Sequence, residues 1–197
     1  MKPYFQTHPA GVLYLLVVLA WYGAEIIEFF RQQQWRKDAA RVGPRAFWPV
    51  LGLYAAGAVT VLVLAPRIAP AAQIGHGALT FAVGMIFLVL GAGLRLWSFR
   101  TLGRYFTFTV KVSPDQPVVT AGPYRVLRHP GYAGGLLATA GVALQYGNWL
   151  SVAAITLSIL ALIVWRIRVE ENALLATLNG RYRAYAAHHK RLVPLVW

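Results

Sequence analysis

Three long apolar runs, Ala10 to Phe30, Ala46 to Ala65 and Gly77 to Trp97, decide the solvent in which this chain folds. About 30 Å of hydrocarbon is crossed by roughly 20 apolar residues in a helix, and only segments that satisfy their own backbone hydrogen bonds are tolerated there. Of the 197 residues, 58% are hydrophobic and 13% charged, against roughly 25% charged in soluble domains. Two shorter runs, Gly131 to Tyr146 and Trp149 to Trp165, are parted by Gly147-Asn148 and read as a tight helical pair. Leu, Ala and Val dominate these runs, and the alternation of barrel strands is missing. The predicted fold is all-α: a multi-pass membrane protein with five transmembrane helices, the last two a helical hairpin, a cytosolic loop and a C-terminal helical tail.

The basic residues orient those spans. Arg31, Arg36, Lys37, Arg41 and Arg45 lie between the first two runs, whereas the amino terminus and the loop from Pro66 to His76 carry Lys2 and Arg67. Cytoplasmic loops hold the excess of Lys and Arg, so the first loop is expected in the cytosol and the amino terminus outside. Five spans then put Arg100, Arg104, Lys111, Arg125 and Arg128 on the cytosolic side, together with Arg181, Arg183, Lys190 and Arg191. The formal charge of +13 is orientation charge and attraction to anionic headgroups, with no nucleic acid as partner. The first run continues through Trp21-Tyr22 to Glu25 and Glu28, which reads as a retained span and not a cleaved signal. Residues 1–197 form one membrane domain: a two-helix part, 1–76, and a core, 77–197, with the unusual chemistry.

With no Cys, disulfides, thiolate metal sites and a Cys nucleophile are excluded. His188-His189 are adjacent, lack the i, i+4 spacing of a helical metal site, and read as surface residues, so no metal is expected. Glu25 and Glu28 share a helical face, with Arg31 as their expected partner. Gly131 and Gly135 form a small-xxx-small step that lets the fourth helix approach a neighbour.

Between the apolar runs lies a polar and aromatic stretch, Gly122-Pro123-Tyr124-Arg125-Val126-Leu127-Arg128-His129-Pro130-Gly131-Tyr132, and beyond it the acidic pair Glu170-Glu171. Ionisable groups near lipid mark function by default. Residues 102–128 are too long for an idle connection, and Thr107, Thr109 and Val110 are able to run extended. Pro130 suits the first turn of a helix, which puts His129 at a helix start, where free N–H groups and the dipole favour an anion. Arg166 and Glu170, four apart, share a face as a local ion pair or as two arms of one site. Arg95 ends the third run, either snorkelling to the headgroups or facing the same site. Glu170 and Glu171 also read as solvated partners of Arg166 and Arg168.

Leu102-Gly103-Arg104-Tyr105-Phe106, Val118 to Gly122 leading into Pro123-Tyr124, Arg128-His129-Pro130-Gly131-Tyr132 and Glu170-Glu171 followed by Leu174 resemble the isoprenylcysteine carboxyl methyltransferases. Their prokaryotic relatives and the related phospholipid N-methyltransferases share this likeness; Tyr182, Tyr185, Arg191 and Pro194 fit the tail, and it covers about the last 120 residues. It implies S-adenosylmethionine as cofactor and S-adenosylhomocysteine as product, bound on the cytosolic side. The cofactor-binding residues it implies are Lys111, Gln116, Pro117, Val118, Val119, Tyr124, His129, Pro130, Gly131, Tyr132 and Glu170. Arg166 matches the substrate-binding arginine and Arg95 an arginine facing the substrate carboxylate; these two are the candidate catalytic residues.

The implied reaction is carboxyl O-methylation of a lipophilic or prenylated acceptor at the bilayer surface. A carboxylate is ionised at neutral pH and needs a cation to hold it, whereas an amine must first lose a proton, a task for Glu170 or Glu171. Two arginines favour the acid, but a phosphate headgroup also pairs with Arg. A lipid amine N-methyltransferase stays open as the alternative, and beyond it a non-enzymatic membrane scaffold or carrier.

Overall fold

A computed structural model describes residues 3–35, 47–75, 77–108, 112–194 and 197. Its elements are helical: a short α1 (Tyr4–Thr7), then α2 (Ala10–Trp35), α3 (Phe47–Ile68), α4 (Gly77–Leu102), α5 (Pro130–Gln145), α6 (Trp149–Leu178) and α7 (Gly180–His188), with single 3-10 turns between them. Three helices, Ala10–Arg31 within α2, α4 and α6, are long and apolar enough to cross a membrane. The all-helical expectation holds. Expectations resting on Arg36, Lys37, Arg41, Arg45, Thr109, Val110 and Lys111 fall outside the described residues.

Two helices run past their apolar stretches. The third run, expected to close at Trp97, continues as α4 to Leu102, and Gly103, at φ 52°, ends it because a left-handed residue after a helix costs glycine nothing. The fifth run, expected to close at Trp165, continues as α6 to Leu178. Arg166, Glu170 and Glu171 therefore project from one unbroken helix.

The seam between α4 and α5 is the closest in the fold, and it is not the step the sequence pointed to. A Cβ on Gly134 would lie 2.6 Å from the Gly91 carbonyl oxygen, and one on Gly141 2.6 Å from that of Gly84. Gly131 and Gly135 sit beside this line, against Ser98 and the Arg95 guanidinium. Around the seam, Tyr14 and Trp21 of α2 pack on Leu88, Ala92 and Ala138, while Leu62 of α3 packs on Ala143 and Ile155.

At the far end of α5 the chain turns through Gly147, at φ 61°. Asn148 then caps α6, its Oδ1 accepting from Leu150 N at 2.9 Å and Ser151 N at 3.3 Å, while its Nδ2 donates to the Ala69 carbonyl just beyond α3. One buried side chain thus caps a helix and ties the turn to its neighbour. At the opposite end the tail returns to the start of α5: Arg128 N donates to Lys190 O at 2.7 Å and His129 N to Arg191 O at 3.0 Å.

Candidate functional site

Where the tail meets the start of α5, a cavity opens between α4, α6, α7 and residues 105–107 and 112–132. Arg95 and Phe99 of α4, Gln116, Pro117, Val118 and Val119 of the connecting segment, Tyr124, His129, Gly131 and Tyr132, Arg166 and Glu170 of α6, and Tyr182 and Tyr185 of α7 line it. Of the sequence candidates, Pro130 is fully buried in the core and not in that wall, because its ring occupies the first turn of α5. Lys111 lies outside the described residues.

The acidic pair has two distinct surroundings. Glu171 is buried: Arg128 Nη1 donates to its Oε1 at 2.7 Å, His129 Nε2 lies 3.2 Å from the same oxygen, and Arg191 Nε donates to Oε2 at 2.9 Å. The carboxylate that meets His129 at the helix start is therefore the protein's own. His129 and Glu170 line the same cavity, but the side-chain partner of His129 is Glu171, which the sequence suggested as a solvated partner of the arginines. The i, i+4 logic that singled out Glu170 has no view of Arg128 and Arg191, which arrive from distant segments.

Glu170 takes part in a different chain of contacts. The Tyr132 hydroxyl donates to Glu170 Oε2 at 2.7 Å and accepts from Arg166 Nε at 3.1 Å, so the phenol stands between the two residues expected either to pair or to share a site. Arg166 Nη2 also donates to the Phe108 carbonyl at 2.6 Å. Arg166 is buried, whereas Arg168 is exposed, so a solvated setting fits Arg168 alone.

Arg95 has a partner the sequence did not offer. Its Nε and Nη2 both donate to the Glu25 carboxylate of α2, the second at 3.0 Å, while Nη1 donates to Gly131 O at 2.9 Å. Trp21 Nε1 donates to the same carboxylate at 3.1 Å. Arg31, expected to pair with both acids, reaches Glu28 at 3.4 Å. The pair Glu25–Arg95 links helices 70 residues apart in sequence, a distance at which residue spacing carries no signal.

Polar groups on α7 close the cavity. The Tyr185 hydroxyl donates to Tyr124 O at 2.8 Å and to Leu127 O at 3.2 Å, and burial pushes its phenol up to about 12. Burial likewise raises Tyr124 and Tyr182 above the usual phenol value, with nearby glutamates adding to it. The Tyr182 hydroxyl and Arg128 Nε are buried and have no hydrogen-bond partner among the described residues.

A second cleft, of about 390 Å³, runs from this cavity between α2, α5 and α6. Its walls are apolar and aromatic, with Trp21, Tyr22, Phe29, Ile159, Leu162 and Ile163, and its charged side chains are Glu25, Arg95 and Arg166. Arg95, Phe106, Thr107, Tyr132 and Arg166 line both spaces. A chamber richer in polar groups and a more apolar one thus meet at a wall that includes two guanidinium groups and a phenol.

Fold and site together define an all-helical, integral multi-pass membrane protein with its chemistry gathered at one end of the helices. Residues 79–179, half of the chain, match the family model described as phospholipid methyltransferase. The chain belongs to that family. Among curated proteins it is 33% identical over 116 residues to a probable protein-S-isoprenylcysteine O-methyltransferase of Oryza sativa subsp. indica, covering 58% of this chain and 61% of that one. It is 31% identical over 115 residues to protein-S-isoprenylcysteine O-methyltransferase B of Arabidopsis thaliana, covering 57% and 58%. The chain thus spans about three fifths of the length of these relatives. A solved structure of the eukaryotic intramembrane Ras methyltransferase, isoprenylcysteine carboxyl methyltransferase, has the same fold: TM-score 0.67 at 23% identity, covering 91% of this chain and 67% of that one.

Proposed function

We propose that this protein is an S-adenosylmethionine-dependent methyltransferase that esterifies the carboxylate of a lipophilic, isoprenylcysteine-like acceptor at the cytosolic face of the membrane. The observation that carries this reading is the wall shared by the two spaces, because transfer between a polar donor and an apolar acceptor requires both to reach one point with water kept out. The names of the relatives favour the same chemistry.

The polar cavity suits the donor. Tyr182 and Arg128 each turn an unsatisfied buried polar atom to its surroundings, a cost of roughly 1–3 kcal/mol that a bound polar molecule relieves. Glu170 supplies a carboxylate for a cationic donor, and Gln116 to Val119 with Tyr124 form the floor. When bound, the donor supplies a methyl group carried on a sulfonium: the acceptor's oxygen forms the new C–O bond, and the old C–S electron pair returns to sulfur. No proton moves when the acceptor is a carboxylate. Arg166, in the shared wall, holds that carboxylate, and Tyr132 fixes Arg166 through its own bond to Glu170.

The apolar cleft takes the lipophilic tail. Its walls belong to helices that face lipid, and we count α3 and α5 as spans beside the three longer helices. Five crossings, the last two a hairpin, put the amino terminus outside and the site inside. α5, at 16 residues, is about 24 Å long at 1.5 Å per residue, somewhat short of the hydrocarbon core, so it crosses as an inner helix flanked by α4 and α6.

The test is methyl transfer by protein in nanodiscs, with methyl-labelled S-adenosylmethionine and a farnesylated cysteine acid. Label released as methanol by mild base is the expected result, since esters hydrolyse. Label that resists base would move the reading to a lipid amine, and bound donor with no transfer to either acceptor would overturn both.

A further inference from the structure

The acceptor cleft contains an acid at the place where an acid is to be received. Glu25 lies in its wall beside Arg95 and Arg166. Both Glu25 oxygens accept from Arg95, and one of them also accepts from Trp21 Nε1. The side chains of Glu25 and Arg95 are mostly buried, 15% and 17% exposed, so solvent screens them little. Their charges cancel, so among the charged side chains of the cleft's own wall the one net positive charge is that of Arg166, with Glu170 behind Tyr132 in the adjoining cavity.

We propose that Glu25 determines the charge of the acceptor: by neutralising Arg95 it makes the cleft accept a head with a single negative charge and reject a second. Such rejection needs an unfavourable element as well as a favourable one, and like charges brought together out of water are strongly disfavoured. Glu25 also fixes the guanidinium plane of Arg95 against Gly131, so it acts as a positioning residue and not as a group that touches the transferred methyl. The inference rests on the apolar cleft being the acceptor site.

The probes are S-farnesylcysteine acylated on nitrogen with acetate, which has one carboxylate, or with succinate, which has two. Methyl transfer to each is measured at saturating donor, with kcat and KM separated. Wild type should favour the single carboxylate by about tenfold or more in kcat/KM. In Glu25→Gln that preference should fall at least about fivefold, through a lower KM for the succinate. Arg95→Gln should move it the other way, because Glu25 then stands uncompensated, and Glu25→Asp should keep the wild-type preference. Opposite signs exclude a general loss of structure, which would move both variants alike. An unchanged preference in Glu25→Gln, or shifts of the same sign in both, would overturn the proposal while leaving the carboxyl methyltransferase reading intact. Wild type that methylates neither acid would overturn that reading and this proposal with it.

Discussion

Arg166 and Glu170 sit one helical turn apart on α6, yet they meet only through the Tyr132 hydroxyl that stands between them. On the proposed function, Arg166→Ala should leave donor affinity within about twofold and lower turnover about 100-fold, the usual scale for a misplaced reacting group. Arg166→Lys should recover part of that, since a compact ammonium keeps the charge but not the planar fork. Calorimetry with S-adenosylmethionine and a methyl-transfer assay on the same samples separate the two effects. Glu170→Ala should show the reverse order, with donor affinity falling about tenfold for one lost charge-assisted hydrogen bond. Unchanged affinity would remove Glu170 from the donor site. Glu171 is the contrasting neighbour: Arg128, His129 and Arg191, from two segments, converge on it, and it ties the tail to the start of α5.

Packing between elements explains how much of this was readable in advance. Runs of apolar residues marked where the helices start to within a position, because composition is a local property. Their ends were less legible: α6 passes through Arg166, Glu170 and Glu171 without a break, held by partners that lie far away in sequence. The glycines were only partly legible for the same reason: Gly131 and Gly135 do face α4, but only the crossing of α4 and α5 decides that Gly134 and Gly141 make the closest backbone approach. Gly134→Leu should therefore lower the midpoint of thermal unfolding in detergent, at a cost of about 1–3 kcal/mol or more for overpacking. Gly135→Ala should cost less, because its Cβ would meet only the end of the Arg95 side chain, at 3.3 Å. The family motifs did mark the cavity, whereas Glu25, beside Glu28 on α2, belongs to none of them, and the sequence offered Arg31 as its partner.

Over the whole molecule the two ends respond to different probes. Tyr185 ties α7 to the segment before α5 through a phenol raised to about 12 by burial. A phenol raised in the folded state stabilises fully below its unfolded value near 10, and that contribution drains away as the pH rises toward 12. The unfolding midpoint should accordingly fall across pH 10 to 12, and less steeply in Tyr185→Phe; equal slopes would dismiss the linkage. Topology makes the other prediction. Reporters fused at Lys2 and Trp197 should register opposite sides of the membrane, and reporters on one side would refute five crossings. The wall formed by Tyr182 and Tyr185 also carries a consequence for biogenesis. Arg95 and Phe99 are made more than eighty residues before those two tyrosines, so α4, α5 and α6 leave the ribosome while the cavity still lacks a side. On the proposed function, a nascent chain should be unable to consume a methyl donor until α7 has been translated and has folded back, which would keep half-inserted molecules catalytically silent.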